Sequence, residues 1–225
     1  MQSILEHKVL NNSFLVSAER CIYWQNKRTL ILSDLHLGKT GHFRKAGIAV
    51  PQGVFKEDMQ RLVTQIQNFK PEHIIVIGDM FHSHGNIEHE FFLKWRKDFS
   101  QLSIHLVKGN HDILKEKWYA SADIEISKCE LLIEEFAFVH DFTDCSVPDN
   151  GYIFSGHIHP GISLSGVGRQ SLRFPCFYFG YTYAVLPAFS RFTGTYAIKP
   201  KAGETVYALV NANAARGELG GLLKV

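Results

Sequence analysis

The chain has 225 residues, of which 45% are hydrophobic, and a formal net charge of +2. That length is enough for one large core, so we expect a single domain over residues 1–225. The first residues lack the charged start and apolar run of a signal peptide, no apolar stretch approaches the roughly 20 residues of a membrane span, and the four cysteines form no CxxC pair. We therefore expect no membrane anchor and no disulfide scaffold, and a soluble cytoplasmic protein.

Short apolar runs alternate with longer amphipathic segments in the first half of the sequence. The runs 29–32, 74–77 and 104–107 are rich in β-branched residues and leucine, and each ends in a polar loop. This pattern is typical of strands that are buried on both faces. Because a predicted helix separates each pair of runs, we expect the strands to be parallel, with right-handed crossovers.

The two predicted helices have clear boundaries. The first lies between Pro51 and Pro71, and its apolar residues recur at spacings of four and three. The second follows Asn86, which can serve as its N-cap. The predicted apolar faces are Phe55, Met59, Leu62, Ile66 and Phe69 in the first helix, and Ile87, Phe91, Trp95 and Phe99 in the second.

Helical patterns stop after about residue 122, and short apolar runs take their place. This change indicates a second sheet packed on the first, in an α/β four-layer sandwich of two mixed β-sheets with flanking helices. The tail from about residue 211 has no such pattern, and we expect it to be loosely ordered. The predicted strands are 124–126, 131–133, 136–139, 152–155, 162–164, 176–179, 183–186 and 206–210.

Polar clusters follow five of the predicted strands. They are Ser-Asp-Leu-His at 33–36, Gly-Asp-Met-Phe-His at 78–82, Gly-Asn-His-Asp at 109–112, His140, and Gly-His-Ile-His at 156–159. In open α/β sheets, ligand sites form at the edge where such strands end. We therefore expect these side chains to meet in one site.

The side chains in these clusters suit divalent transition metals. Imidazole, carboxylate and amide oxygen ligands fit Mn²⁺, Fe²⁺ or Zn²⁺ better than ions that prefer thiols. Alternate residues of an extended segment point to one side, so Asp34 and His36 can hold one ion or be divided between two, and so can His157 and His159. Seven ligands are more than one ion uses, and two ions that share one carboxylate are the economical arrangement. The candidate metal ligands are Asp34, His36, Asp79, Asn110, His140, His157 and His159.

The ordered patterns D-x-H, G-D-x-x-H, G-N-H-D, a single H and G-H-x-H, between residues 34 and 159, resemble the motifs of the calcineurin-like metallophosphoesterases. The resemblance implies two divalent ions, preferably Mn²⁺ with Fe or Zn as alternatives, and hydrolysis of a phosphate ester by a metal-bound hydroxide. It implies that Asp34, His36 and His159 bind the first metal, that Asn110, His140 and His157 bind the second, and that Asp79 bridges both.

The same resemblance implies a separate role for His111, which is not a ligand in that family. His111 faces the scissile phosphate and either stabilises charge or protonates the leaving oxygen. Asp112 then orients His111. These two residues are the expected catalytic residues beside the metal ions.

Segments that flank the motifs are similar to the ligase-associated DNA damage response endonucleases of the PdeM family. The similar segments are DLHLGK at 34–39, FRKAG at 43–47, GHIHPG at 156–161, LRFPCF at 172–177, LPAF at 186–189 and FTG at 192–194. The resemblance covers roughly residues 20–195. It implies a bacterial phosphodiesterase or nuclease in DNA repair, linked with a DNA ligase and a DEXH-box helicase.

The net charge is too mild to indicate a nucleic-acid partner, but basic residues cluster locally. Residues 150–203 contain no acid, and basic and aromatic residues interleave there, as suits a single-stranded nucleic acid. Two alternatives stay open, because aromatic residues also pack well on sheets and the basic side chains can instead hold the loops 38–50 and 166–175 in place. The candidate substrate-binding residues are His82, Lys39, Arg44, Arg169, Arg173 and Arg191.

We expect a metal-dependent phosphodiesterase that acts on nucleic acid, and three other functions stay open. The first is a phosphomonoesterase. The second is an enzyme for small substrates, a cyclic nucleotide or a pyrophosphate, although the similar UDP-diacylglucosamine pyrophosphatases have G-N-R-D where this chain has His111. The third is a non-catalytic scaffold, which typically loses metal ligands or that histidine, whereas this chain has them all.

Overall fold

The protein is represented by a computed structural model that describes residues 2–50, 53–82, 87–144, 151–166, 170–210 and 220–225. Within these residues the chain forms two β-sheets and four α-helices. The predicted α/β sandwich of two mixed sheets with helices is confirmed. None of the described helices is both long enough and apolar enough to cross a bilayer.

The first sheet contains seven strands that lie side by side in sequence order. Its first four strands pair antiparallel, and its last four pair parallel. The parallel pairing was predicted for the runs beginning at 29, 74 and 104. The run beginning at 124 was expected in the second sheet but is the last strand of the first, because a short helix at Glu116–Ser121 returns the chain for another parallel strand. The three antiparallel strands before residue 29 were not predicted. The bounds are β1 Ile4–Val9, β2 Asn12–Ser17, β3 Cys21–Trp24, β4 Thr29–Ser33, β5 His73–Ile77, β6 Ser103–Val107 and β7 Ile124–Ser127.

The helices all precede the second sheet. Their bounds are α1 Lys39–Lys45, α2 Val54–Phe69, α3 Ile87–Asp98 and α4 Glu116–Ser121. Helix α2 buries Met59, Leu62 and Ile66 on its predicted face. It ends at Lys70, which has a left-handed φ of 47° directly before Pro71. Pro51 and Asn86, the other predicted boundary residues, lie outside the described residues.

The predicted apolar face of α3 is wrong in its first half. Ile87 and Phe91 are exposed by 60% and 47%, whereas Glu88, Phe92 and Arg96 are buried. The reason is that two charged side chains on the inner face serve as hydrogen-bonding partners for other segments. The periodicity of apolar residues cannot predict such a face, because it assigns every charged residue to the surface, including one that is buried with hydrogen-bonding partners.

The second sheet contains the remaining nine strands. Its order is β14-β11-β12-β13-β10-β9-β8, and β12 also pairs with β15, which pairs with β16. The strands predicted for this sheet from residue 131 onward are confirmed. The tail was expected to be loosely ordered, but residues 221–224 form a strand. Residues 211–219 lie outside the described residues. The bounds are β8 Glu130–Ile133, β9 Phe136–Val139, β10 Tyr152–Ser155, β11 Pro160–Ser165, β12 Ser171–Phe179, β13 Tyr183–Val185, β14 Tyr196–Ala197, β15 Thr205–Val210 and β16 Gly221–Lys224.

Two hydrophobic clusters hold these layers together. One lies between the sheets and includes Phe14, Trp24 and Phe154. The other lies between the first sheet and the helices and includes Leu62, Phe92 and Tyr119. Burial of aromatic and aliphatic side chains on both faces of β4, β5 and β6 fixes the ends of these strands in space. The loops at their carboxyl ends therefore start from rigid positions.

Candidate metal centre

The five predicted polar segments meet at one edge of the sandwich. The loops after β4, β5 and β6 of the first sheet face the loops after β9 and β10 of the second sheet. Backbone groups join them: the N–H of His157 donates to Asp34 Oδ2 at 3.1 Å, and the N–H of Gly156 donates to the carbonyl of His140 at 3.1 Å. The expected convergence of the motifs is thus observed.

Two overlapping groups of side chains could each hold a metal ion. The first contains Asp34, His36 and His159, and the second contains Asp34, Asp79 and His140. Within each group the potential ligand atoms all lie within 4.8 Å of one another. Because Asp34 belongs to both groups, the two positions are adjacent.

The first group is compact and largely buried. His159 Nε2 lies 3.5 Å from Asp34 Oδ1 and 3.4 Å from His36 Nε2. Burial, together with the charge of Lys39, lowers the pKa of His36 to about 3. His36 is therefore neutral at pH 7 and has a lone pair free for a metal ion.

The second group is extended by two more candidate ligands. His140 Nε2 lies 3.6 Å from Asp79 Oδ2, 3.1 Å from Asn110 Oδ1 and 3.0 Å from His157 Nδ1. Three side chains from three other loops thus converge on this nitrogen atom of His140. The seven predicted metal ligands are all found at this edge, and the structure brings each into contact with at least one other.

Five of these residues have a backbone conformation that is rare for side chains other than glycine. Asp34, His36, Asp79, His157 and His159 have φ values between 46° and 68°. A left-handed residue costs about 1 kcal/mol or more, and such residues cluster where function requires them. Hydrogen bonds hold two of them in place, from Asp34 N to Gly78 O at 3.1 Å and from His36 N to Asp79 O at 2.8 Å.

Several buried polar atoms of the site have no hydrogen-bond partner within the described part of the chain. They include Asp34 Oδ1, His36 Nδ1 and His140 Nδ1. Burial alone would raise the pKa of Asp34, but the nearby rings of His159, His140 and His36 bring that pKa below its usual value. A buried carboxylate oxygen without a hydrogen-bond donor is costly, and a cation within this donor set would satisfy Asp34 Oδ1. The residues present therefore fit divalent metal ions.

His111 lies beside the second group, but Asp112 does not contact its ring as expected. The His111 N–H donates to Asp79 Oδ1 at 2.8 Å, and the ring Nε2 lies 4.0 Å from Asp79 Oδ2. The Asp112 carboxylate instead accepts backbone N–H bonds from Gly109, Met80 and Phe81 at 2.9 to 3.3 Å. Burial raises the pKa of Asp112 to about 7, and these N–H bonds oppose the shift. Asp112 thus joins the loops after β5 and β6, and the expected bond to the His111 imidazole is replaced by these backbone bonds.

His82 lies against His111 at the rim of the site. The two ring centroids are 4.5 Å apart, and the ring of His42 lies 5.4 Å from His82 on its other side. Burial lowers the pKa of His82 to about 4, and the charges of His111, Lys39 and His42 act in the same direction. The sequence left open whether His82 contacts substrate or is an ordinary hydrogen-bonded histidine. Its place beside His111 favours the first reading.

The basic candidates near α1 have two different environments. Lys39 is half-buried, and its pKa is lowered by burial, while Asp79 and Asp34 oppose this shift. The charges of both carboxylates therefore act on Lys39. Arg44 instead forms an ion pair with the buried Glu88, with 3.0 Å between Nη2 and Oε1. Glu88 also accepts hydrogen bonds from Gly38 and Thr40, so this network fastens α1 to α3, which favours the structural alternative for Arg44.

The other two described basic candidates, Arg173 and Arg191, are both exposed. Arg173 is exposed on β12, opposite Ser163 of β11, the strand that begins directly after His159. Arg191 is exposed, and its Nη2 lies 3.3 Å from Glu19 Oε2. Its neighbour Ser190 donates a backbone hydrogen bond to Asp34 at 3.2 Å. Arg169 lies outside the described residues.

Sequence reasoning missed one side chain that contacts the site. Asp141 Oδ2 lies 3.7 Å from His157 Nε2, the ring nitrogen of His157 that does not face His140. A carboxylate on the outer nitrogen of a metal-ligating histidine typically fixes the ring and raises its basicity. The available signal was position, because Asp141 directly follows the predicted ligand His140.

Comparisons with known proteins identify a family and two similar structures. Residues 27–175 match the family described as calcineurin-like phosphoesterase. The solved structure of the nuclease MPE from Pseudomonas putida is similar over 98% of this chain and 100% of its own, with a TM-score of 0.78 and 27% identity. Yfce, a phosphoesterase from E. coli, shares 14% identity over 88% of this chain and 97% of its own, with a TM-score of 0.43. No curated protein matches the chain.

Proposed function

The chain belongs to the calcineurin-like phosphoesterase family, and from this premise we propose that it hydrolyses phosphodiester bonds of nucleic acid with two divalent metal ions. Membership of that family makes the protein a hydrolase of phosphate esters that uses divalent metals. The single observation that carries the finer proposal is the pair of adjacent ligand groups that share Asp34. Two neighbouring cation sites suit the in-line displacement of an ester oxygen at phosphorus.

The residues of the two groups would hold the metals, with Asp79 or Asp34 between them. Metal ions bound there supply Lewis acidity that activates water and offsets charge on the phosphate. His36, His159 and Asp34 would form one position, and His140, Asn110 and His157 would complete the other. His157 is held between His140 at 3.0 Å and Asp141 at 3.7 Å, which fixes the orientation of its ring.

His111 is our candidate for the proton donor to the leaving oxygen. Its side chain is 43% exposed and lies 4.0 Å from Asp79, so it borders the metal groups and faces the solvent from which a substrate arrives. Asp79 holds its backbone, which sets the position of the ring without using either ring nitrogen. Lys39 adds a positive charge on the same rim and would bind a phosphate oxygen, with His82 beside it.

We propose a polynucleotide rather than a small ester as the substrate. The similar structure from Pseudomonas putida is that of a nuclease. In this chain, Arg173 lies opposite β11, the strand that begins directly after His159. Arg191 directly follows Ser190, whose N–H donates to the Asp34 carbonyl. Two exposed arginines on segments that adjoin the metal centre would suit successive phosphates of one strand.

A substrate panel with Mn²⁺ tests this proposal. We expect cleavage of bis-nitrophenyl phosphate and of single-stranded DNA, with little hydrolysis of a nitrophenyl monoester. Binding to the oligonucleotide should weaken with salt, with a logarithmic slope of about −0.7 for each phosphate contact. Activity on the monoester alone would instead identify a phosphomonoesterase, and activity on none of the three would favour a scaffold.

Arginine variants sharpen this test, because the chain offers a matched control. Arg191 and Arg28 each have a side chain that is 58% exposed and one surface ion pair, but Arg28 lies at the opposite end of β4. Arg191→Ala and Arg173→Ala should each reduce the salt slope by about 0.7 and spare the small diester. Arg28→Ala should change neither. Equal loss on both substrates in the Arg191 variant would mean that Arg191 serves the fold.

The finer biological role rests on resemblance. Mn²⁺ as the preferred ion, a role in bacterial DNA repair, and an association with a DNA ligase and a DEXH-box helicase are what similarity to the PdeM endonucleases implies. Metal analysis of the purified protein tests the first of these. Co-purification of the protein from its own cells with a ligase or helicase tests the last.

A further inference from the structure

A short segment, 187–190, runs along the end of β4 where Asp34 begins the metal site. The Phe189 N–H donates to the Ser33 carbonyl at 2.7 Å, and the Ser190 N–H donates to the Asp34 carbonyl at 3.2 Å. The Ser33 hydroxyl donates in turn to the Pro187 carbonyl at 3.2 Å. The segment therefore fixes the backbone of Ser33 and Asp34 on the side away from β5.

Asp34 needs this support more than an ordinary strand residue does. Its φ is 52°, a left-handed conformation that an aspartate adopts only at a cost of about 1 kcal/mol. The other backbone hydrogen bond that holds it runs from its N–H to the Gly78 carbonyl at 3.1 Å. If the bond from Ser190 were lost, Asp34 could relax and its carboxylate would leave both ligand groups.

Two arginines from other parts of the chain donate hydrogen bonds to the carbonyl oxygens of this segment. Arg20 Nη1 donates to Ala188 at 3.1 Å and to Ser190 at 2.8 Å. Arg61 of α2 is only 8% exposed; its Nη2 donates to the Phe189 carbonyl, and its guanidinium lies 4.1 Å from the centre of the Phe189 ring. Three successive carbonyls of the segment are thus bound by charged donors, which form stronger hydrogen bonds than neutral groups do.

We propose that Arg20 and Arg61 are positioning residues for the metal centre, which act through the 187–190 segment on the backbone of Asp34. This inference rests on the proposed role of Asp34 as a metal ligand. Neither arginine contacts a ligand side chain, and both lie outside the five motifs. Their effect is to keep the strained Asp34 in the conformation that places its carboxylate between the two ligand groups.

A purely structural role would destabilise the fold without changing metal affinity, and Arg96 supplies the control for it. Arg96 is also buried, and it donates to the carbonyls of Phe99, Leu102, Ala122 and Asp123. These residues follow α3 and α4, at the amino ends of β6 and β7. Arg96 therefore has the same chemistry as Arg20 and Arg61, but it supports no segment that touches a candidate ligand.

The experiment compares Arg20→Met and Arg61→Lys with Arg96→Met and Arg96→Lys. Affinity for Mn²⁺ is measured by competition with a chelator, and stability by thermal unfolding of the metal-free protein. Removing groups that orient metal ligands typically weakens metal binding by about 10- to 100-fold, and we expect a loss in this range for Arg20→Met and a smaller one for Arg61→Lys. The Arg96 variants should keep wild-type affinity whatever their stability.

Two results would overturn the inference: unchanged Mn²⁺ affinity in Arg20→Met, or an equal loss of affinity in an Arg96 variant of similar stability. If Arg61→Lys does not fold, the less buried Arg20→Met decides alone. Wild-type protein that binds Mn²⁺ but cleaves no phosphate ester would overturn the proposed function and leave the affinity comparison intact.

Discussion

Gly78 and His140 approach each other so closely that a Cβ atom on Gly78 would lie 1.8 Å from His140 Nδ1. Gly78 also has a φ of 70°, which side chains rarely adopt. The same loop carries Asp79, so one glycine lets the loop after β5 turn sharply and lets the histidine from the second sheet reach the site. The contact joins the two sheets at the metal centre.

Gly78→Ala should therefore remove metal binding at the group that contains His140. The added methyl group displaces the imidazole or the loop, and displacement by about 1 Å is enough to disrupt such a site. Metal content measured by elemental analysis should fall by at least one ion per chain. Gly166→Ala is the control, since a Cβ there meets no atom within 4 Å and should leave metal content unchanged. Full metal content in Gly78→Ala would contradict the close packing of the two sheets at this point.

Asp79→Asn should weaken both proposed metal positions. Asp79 Oδ2 lies 3.6 Å from His140 Nε2, and its Oδ1 holds the His111 backbone. The amide retains the shape of the side chain but removes one negative charge beside two cations, so metal affinity should fall steeply. Elemental analysis should find fewer than two ions per chain, whereas two ions retained at wild-type affinity would rule out a bridging role for Asp79.

The positions of these residues along the chain could be predicted, but their contacts could not. Each of the seven ligands follows a recognisable apolar strand, and the order of the strands indicates which loops share an edge. Residue type does not reveal that Asp112 binds three backbone N–H groups instead of the His111 ring. An aspartate that orients the His111 ring and an aspartate that binds backbone N–H groups are both buried carboxylates next to a loop. Only the path of the loop after β5 determines which of the two roles Asp112 has.

The misread face of α3 has a related cause. Glu88 and Arg96 are buried because each binds groups from other parts of the chain: Glu88 binds Gly38, Thr40 and Arg44, and Arg96 binds four carbonyls. A prediction from sequence patterns places charged residues on the surface. That prediction is wrong where the core supplies a hydrogen-bonding partner for the charge. The left-handed backbone of Asp34 and His159 is equally invisible in sequence, because neither residue is glycine.

His111→Ala should slow hydrolysis while leaving metal content and stability unchanged. His111 borders Asp79 but belongs to neither ligand group, so its loss removes a proton donor and not a ligand. General acid catalysis typically contributes about 10²–10⁴-fold to the rate. The loss of kcat should be smallest for a nitrophenyl ester, whose leaving group needs no proton, and largest for DNA. Loss of a metal ion from this variant would instead identify His111 as a ligand.

Arg44→Ala should lower stability and leave the salt dependence of DNA binding unchanged. Its removal takes a charged hydrogen-bond donor from the buried Glu88 carboxylate, at an expected cost of about 1–3 kcal/mol in the free energy of unfolding. Urea denaturation measures this change, and Lys45→Ala, at an exposed neighbouring position, is the control with no expected loss. If Arg44→Ala unfolds like the wild type and its DNA binding depends less steeply on salt, Arg44 contacts the substrate instead.

His7 gives the chain a dependence of stability on pH that is separate from the metal site. Its ring packs against Phe179 with 4.0 Å between centroids, and its Nδ1 lies 3.0 Å from the Tyr207 hydroxyl. Burial lowers the pKa of His7 to about 4, and the charge of Lys224 on the neighbouring strand β16 lowers it in the same direction. His7 is thus neutral in the folded protein over a range where a free histidine, with a pKa near 6.5, takes up a proton.

As the pH falls from about 6.5 to about 4, the unfolded chain therefore binds a proton at His7 that the folded chain does not. Stability from this group is complete above pH 6.5, decreases through this window, and changes no further below pH 4. Since the ring is partly exposed, we expect a loss of about 1–2 kcal/mol. His7→Phe keeps an aromatic ring against Phe179 but cannot titrate. Between pH 7 and pH 4, the wild type should therefore lose about 1–2 kcal/mol of unfolding free energy relative to the variant. Urea denaturation of both proteins with a chelator present measures the difference, because the carboxylates and metal ligands common to both then cancel. A constant difference across the window would show that His7 keeps an ordinary pKa in the folded state.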